Sequence, residues 1–196
     1  MGRRRSGAAR TNVGIAVALV AAGALALGTA EIVSSTRSSA ASCVAGEGAA
    51  ASIAGYRGVQ LENAAAIMDA ATAVGFGADA QVLGVMAAMG ESGLRNIDYG
   101  DWETSGVRNP DGSRTTSIGL FQQQEGWGSV DERMDPSRSA TLFFARLAEV
   151  EGWQDMKPTR AIHAVQINAD PHHYARWERS ARAVVEGLSP GGCGAR

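Results

Sequence analysis

Clusters of lysine and arginine are missing from most of this chain. Its 196 residues include 18 basic and 20 acidic side chains. Five of the basic ones and Glu31 alone among the acids lie within residues 1–41, so the remainder has 13 basic against 19 acidic residues, a net of −6. Affinity for phosphate backbones needs grouped cations, so nucleic acid is excluded as a partner. Histidine is scarce too: only His163, His172 and His173. The adjacent pair would point about 100° apart on a helix, which suits no single ion. Neither Asp98–Asp101 nor Asn109–Gly112 matches a calcium loop. No metal and no other cofactor is expected. Strand patterns, internal repeats and signs of a second domain are also lacking, and the length suits about one domain, here expected to act as a monomer.

Cysteine is nearly absent. Cys43 and Cys193 bracket most of the chain. Arg3, Arg4, Arg5 and Arg10 precede an uncharged run of 18 residues from Val13 to Ala30. That pattern directs the rest of the chain outward, as a cleaved signal peptide or an uncleaved membrane anchor over residues 1–33. Gly28-Thr29-Ala30 offers small residues for cleavage. In an exported protein, Cys43 and Cys193 are expected to form a disulfide. Closing so long a loop is worth about 4–5 kcal/mol in the chain-entropy model. Residues 34–55 are dominated by Ser, Ala, Gly and Thr and read as a linker. Residues 189–196 form a tail containing Cys193.

What remains, residues 56–188, reads as helical. Leu61, Ala64, Ala65, Met68 and Ala71 recur at helical spacing until Gly75 and Gly77 stop them. A second helix is expected from about Asp79 to Glu91, through Val82, Val85, Met86 and Met89. Asp135-Pro136 has the form of a cap with proline in the first turn, ahead of Leu142, Phe143, Phe144 and Leu147. Thr159 is expected to cap a helix carrying Ile162 and Val165. Pro171 is expected to open a last one with Tyr174, Trp177 and Leu188. From Asn96 to Thr116 the chain reads as a long loop, with a turn at Asn109–Gly112 and at most a small hairpin. Trp102, Trp127, Trp153 and Trp177 fit either core packing or a platform for sugar rings.

The residue most suited to chemistry is Glu91, in Met86-Ala87-Ala88-Met89-Gly90-Glu91-Ser92-Gly93-Leu94. A carboxyl on the edge of an apolar helix is costly to ionise, so its pKa rises. Held protonated near neutral pH, it can donate to a leaving-group oxygen. Downstream stands Ser117-Ile118-Gly119-Leu120-Phe121-Gln122-Gln123, where glycine permits close backbone approach and Ser and Gln offer neutral hydrogen bonds. Asp98 and Asp101 lie between these segments. They fit loop capping, or a second carboxylate that holds a water.

The pairing of Glu91-Ser92-x-Leu94 with Ser117-x-x-Gly119-Leu120-Phe121-Gln122 resembles the soluble lytic transglycosylase family of the lysozyme-like superfamily. It also looks like domains on exported actinobacterial proteins. The family usually has Met where Phe121 stands. Its third element, Tyr-Asn-Ala-Gly, is matched only in part by Ile167-Asn168-Ala169-Asp170. The loop between the first two elements is also longer than usual.

The resemblance implies a mainly α, lysozyme-like helical domain with a long loop or small hairpin beside the cleft. It implies an enzyme that cleaves the MurNAc-β-1,4-GlcNAc bond of peptidoglycan strands. Glu91 would act first as acid and then as base toward the muramic 6-hydroxyl, leaving a 1,6-anhydro product. Ser117, Gly119, Leu120, Gln122, Gln123 and Asn168 would contact substrate, and Tyr174 would supply the hydroxyl beside the glutamate. A hydrolysing muramidase with Asp98 or Asp101 as base remains open. So does a non-catalytic wall-binding or envelope-assembly module, because the third element is incomplete.

Overall fold

The computed structural model describes residues 52–166 and 168–191. The N-terminal apolar run, most of the linker, Ile167 and both cysteines lie outside these residues, and with them the expected disulfide. The described part is mainly α: seven helices and a two-stranded sheet.

α1 (Val59–Ala73) buries Leu61, Ala64, Ile67, Met68 and Ala71, a stripe at steps of three and four. Gly75 ends it with a left-handed φ of 84°, while the Phe76 amide bonds the Ala71 carbonyl at 2.9 Å. α2 (Ala78–Ser92) is buried continuously from Val82 to Met89. A helix apolar on all sides belongs at the centre, and α2 packs against α1 and against α7 (Glu178–Leu188). Small residues let its neighbours come close. A Cβ on Gly84 would stand 2.6 Å from Phe144 Cζ and 2.7 Å from Ile67 Cγ2.

α5 (Pro136–Ala148) follows the expected cap: Asp135 accepts from the Arg138 amide at 2.8 Å and Pro136 occupies the first turn. Its Phe143 stacks on Phe121 at 5.1 Å between ring centres, which draws the Ser117–Gln123 element onto the core. α6 (Pro158–Gln166) starts one residue before Thr159, whose hydroxyl donates to the Pro171 carbonyl instead of capping. Pro171 does not open the last helix either. A 3-10 turn over His173–Trp177 intervenes, and α7 begins only at Glu178.

The expected linker is too long at its far end. β1 (Ser52–Ile53) pairs antiparallel with β2 (Tyr56–Arg57), Ser52 opposite Arg57 and Ile53 opposite Tyr56. Ile53 packs against Gly187 of α7, where a Cβ would come within 2.9 Å of it, so one apolar side chain anchors this segment. Periodicity does not reveal two short helices, α3 (Asp101–Ser105) within the long loop and α4 (Val130–Met134) beyond it. The turn at Asn109–Gly112 is present, with Arg108 and Arg114 bridged across it.

Candidate active site

Glu91 occupies the last turn of α2, and that end of the helix is tightly held. Gly93 caps it in the left-handed region at φ 64°, with the Leu94 amide bonding back to the Ala88 carbonyl at 3.1 Å. Two side chains from α1 fix the emerging chain: Gln60 donates to the Gly93 carbonyl at 2.7 Å and Asn63 to the Leu94 carbonyl at 2.9 Å. These two bonds hold the chain at the cap and at the residue after it, next to the turn that carries Glu91.

The Tyr174 hydroxyl donates to Glu91 Oε1. Tyr174 is wholly buried, in the 3-10 turn ahead of α7. Gly90 makes room for it: a Cβ there would stand 2.6 Å from Tyr174 Cδ1 and 3.3 Å from Trp177 Cζ3. Burial pushes the Glu91 carboxyl up to about 7, the Tyr174 hydrogen bond opposes that rise, and the negative charge of Asp101 adds to it. Burial also drives the Tyr174 phenol far above its ordinary value, helped by the charge of Glu91 and their shared hydrogen bond. The phenol thus stays a donor at any working pH. The pair holds a glutamate that keeps its proton well above the ordinary carboxylate range.

Behind Tyr174 stands Asn168, which works slightly against that rise. Its Oδ1 lies 3.2 Å from His163 Nδ1, and its Nδ2 is buried without a hydrogen-bond partner. Tyr174 supplies the hydroxyl beside the glutamate, as the resemblance implies, and the half-buried Asn168 acts on that phenol. The side chain of Tyr174 has no exposed surface with which to touch a ligand.

The Ser117–Gln123 element is joined directly to the Glu91 helix. Ser92 Oγ donates to the Leu120 carbonyl at 2.8 Å, and Gln166 Nε2 donates to the Phe121 carbonyl at 2.9 Å. Gly119 turns at φ 78°, its amide bonding the Ile97 carbonyl at 2.6 Å, and a Cβ there would collide with the Arg133 carbonyl. Leu120 and Gln123 are buried, and Gln123 donates to the Ser139 carbonyl at 2.9 Å; they seat the element on α5 and face no opening. Ser117 is nearly buried but lines a cavity. Gln122 is half-buried in a left-handed conformation, φ 47°, and donates to the carbonyls of Tyr99 and Gly119 at 3.2 Å. Of the expected contacts on this element, only Ser117 and Gln122 have access to a ligand.

Arg133 escaped the sequence reading. It is buried, and its guanidinium donates to the carbonyls of Thr116, Gln123 and Gly128 at 2.8–3.0 Å. One side chain thereby organises the whole turn from Thr116 to Gly128. An isolated arginine before Met134 carries no periodic signal of such a role.

Asp98 and Asp101 are both exposed, and Asp101, in the first turn of α3, is near enough to act on Glu91 through its charge. Asp98 lines a cavity of about 490 Å³ together with Ser117, Trp102 and Arg114. A larger groove, about 660 Å³, lies between the hairpin, Arg95 and Trp177. Glu91 lines neither, but Trp177 lies over the Gly90 beside it. Trp153 is core. Every half-exposed indole has a guanidinium over its ring: Arg108 and Arg114 on Trp102 at 4.6 and 4.5 Å, Arg146 on Trp127 at 3.4 Å, and Arg176 on Trp177 at 5.0 Å. Among the described residues, no three His, Cys, Asp or Glu side chains converge as a metal site would require.

Comparison with protein-family models finds none that matches this chain, and comparison with curated proteins finds no significant match.

Proposed function

We propose that this protein is an exported peptidoglycan-cleaving glycosidase, a lytic transglycosylase that breaks the MurNAc-β-1,4-GlcNAc bond. The observation that carries this reading is the half-buried Glu91 bonded to the buried Tyr174, with the carboxyl raised to about 7. With Oε1 occupied by the phenol, Oε2 is left to carry the proton toward the glycosidic oxygen. As that bond breaks, the substrate's own N-acetyl oxygen closes on the anomeric carbon. The Glu91 carboxylate then takes the proton of the 6-hydroxyl, which attacks the same carbon and yields the 1,6-anhydro end. One carboxyl serves both steps. The N-terminal arginines and apolar run suit a substrate that lies outside the membrane.

A hydrolytic variant of the same chemistry has one observation in its favour. Asp101 is close enough to raise the pKa of Glu91, and an aspartate across the sugar is where an attacking water would be held.

Incubating the full chain with purified peptidoglycan, followed by mass spectrometry of the soluble muropeptides, separates these readings. Products one water lighter than reducing-end muropeptides, absent with Glu91→Gln, support the transglycosylase. Reducing ends move the reaction to hydrolysis. Binding to the wall without any release, from several peptidoglycan types, refutes catalysis and leaves a wall-binding module.

A further inference from the structure

The groove of about 660 Å³ beside the Glu91 helix has a lining unlike that of a neutral sugar cleft. It contains Arg57, Arg95 and Arg176 together with Tyr56 and Trp177, and no carboxylate. All three arginines are exposed. The ion pair among the described residues, Arg182 with Glu178, involves none of them. Three guanidinium groups around one concavity, without an ion-pair partner among the described residues, repel one another and create a positive field, which an anion relieves. Guanidinium also matches the two oxygens of a carboxylate better than an ammonium does.

The lip of this groove is the two-residue turn of the hairpin, where Ala54 and Gly55 take φ of 51° and 88°, the positive pair that tight hairpin turns use. Gln60 and Ser180 add neutral hydrogen-bonding groups to the same lining.

The groove also shares its floor with the catalytic helix end. Trp177 lies over Gly90, the neighbour of Glu91, and the Arg95 guanidinium reaches the cap at Gly93. We propose that this groove binds the carboxylates of the peptide stem that branches from the glycan strand being cut. The proposal rests on the reading of Glu91 as a peptidoglycan glycosidase. A stem peptide leaves the muramic sugar at the scissile bond and carries free carboxylates along an amide backbone. Arginines meet the first of these and Gln60 and Ser180 the second.

The test uses the full chain and two substrates: glycan strands with intact peptide stems, and the same strands stripped of peptide by an amidase. The wild type is expected to cut the peptide-bearing strands with a KM at least tenfold lower. The combined Arg57→Gln, Arg95→Gln, Arg176→Gln variant should lose that preference while cutting stripped strands at a rate within twofold of wild type. Equal KM values for both substrates in the wild type would overturn the proposal. Thermal melting monitors folding, and the three single variants, each expected to lose part of the preference, stand in if the triple variant melts early.

A second measurement does not depend on cleavage: quenching of tryptophan fluorescence by a free stem tetrapeptide. Saturable binding, weakened tenfold by amidating the peptide carboxyls or by the triple variant, supports the groove even if no strand is cut. In that case Glu91 catalysis alone would fail. No binding of the tetrapeptide at low salt refutes the peptide site. Tighter binding of a polyglycerol-phosphate polymer than of the tetrapeptide would assign the groove to a phosphodiester ligand and also overturn the proposal.

Discussion

Tyr174 donates a hydrogen bond to Glu91 from 83 residues away in sequence, and the ring that carries the hydroxyl lies directly on Gly90. This one relationship holds the carboxyl in place and tempers the rise in pKa that burial causes. Five expectations follow from it and from the framework that holds it.

Glu91→Gln should make the protein more stable at alkaline pH. A carboxyl raised from the ordinary carboxylate range to about 7 in the folded state binds its proton more tightly there than in the unfolded chain. That contribution is present at low pH and is lost as pH rises from about 4.5 through about 7. The neutral amide keeps the Tyr174 bond and never ionises. The gain in the variant is at most about 3 kcal/mol. Melting temperatures of both proteins from pH 4 to 9 should coincide in acid and diverge above neutrality.

Tyr174→Phe should move the pH profile as well as lower the rate. The phenol pulls the Glu91 pKa down, so its removal lets the pKa climb further. The alkaline limb of activity, which falls as the general acid ionises, should shift upward. A tyrosine that merely filled space would lower the rate and leave the limb where it was.

Gly90→Ala tests the seat of the ring. Alanine favours the helix by about 1 kcal/mol over glycine. Its Cβ would nevertheless come within 2.6 Å of the Tyr174 ring, and overpacking of this kind costs about 1–3 kcal/mol. The clash should win, giving a lower melting temperature and an alkaline limb that moves toward that of Tyr174→Phe.

Arg133→Met should destabilise the fold by about 2–4 kcal/mol. It removes three hydrogen bonds from a charged donor, taking that partner from the carbonyls of Thr116 and Gly128 and leaving Gln123 only its bond from the Ile118 amide. Denaturant titration gives the loss. Protease cleavage should appear first between Thr116 and Gly128, the segment that the guanidinium organises.

Asp101→Asn distinguishes the two outcomes of cleavage. In a transglycosylase the rate should change by no more than a few-fold, and the alkaline limb should drop slightly, because the aspartate's charge helps to raise the pKa of Glu91. Loss of a hundredfold or more would instead make Asp101 the base of a hydrolase.

Several features of the fold were legible before any coordinates. The apolar runs at steps of three and four fall within α1, α2 and α5. Asp135 and Pro136 mark the start of α5, because cap and first-turn chemistry is local and survives in any context. The early hairpin was hidden in a segment of Ser, Ala and Gly, since one residue, Ile53, supplies its anchor. Thr159 and Pro171 were misread as helix starts because the same local chemistry serves other bonds once α6 and the 3-10 turn pack together.

By itself the sequence determined that the chain is mainly helical, and it singled out Glu91 at the end of an apolar helix. Periodicity and capping are properties of neighbours along the chain. What Glu91 meets is not such a property. That Tyr174 reaches the carboxyl, that Leu120 and Gln123 turn inward, and that Arg133 holds the turn all depend on contacts between distant segments. The arginine-lined groove likewise exists only once the hairpin, α1 and α7 meet. Burial, which decides the charge of a carboxyl, is created by packing and so belongs to the tertiary structure alone.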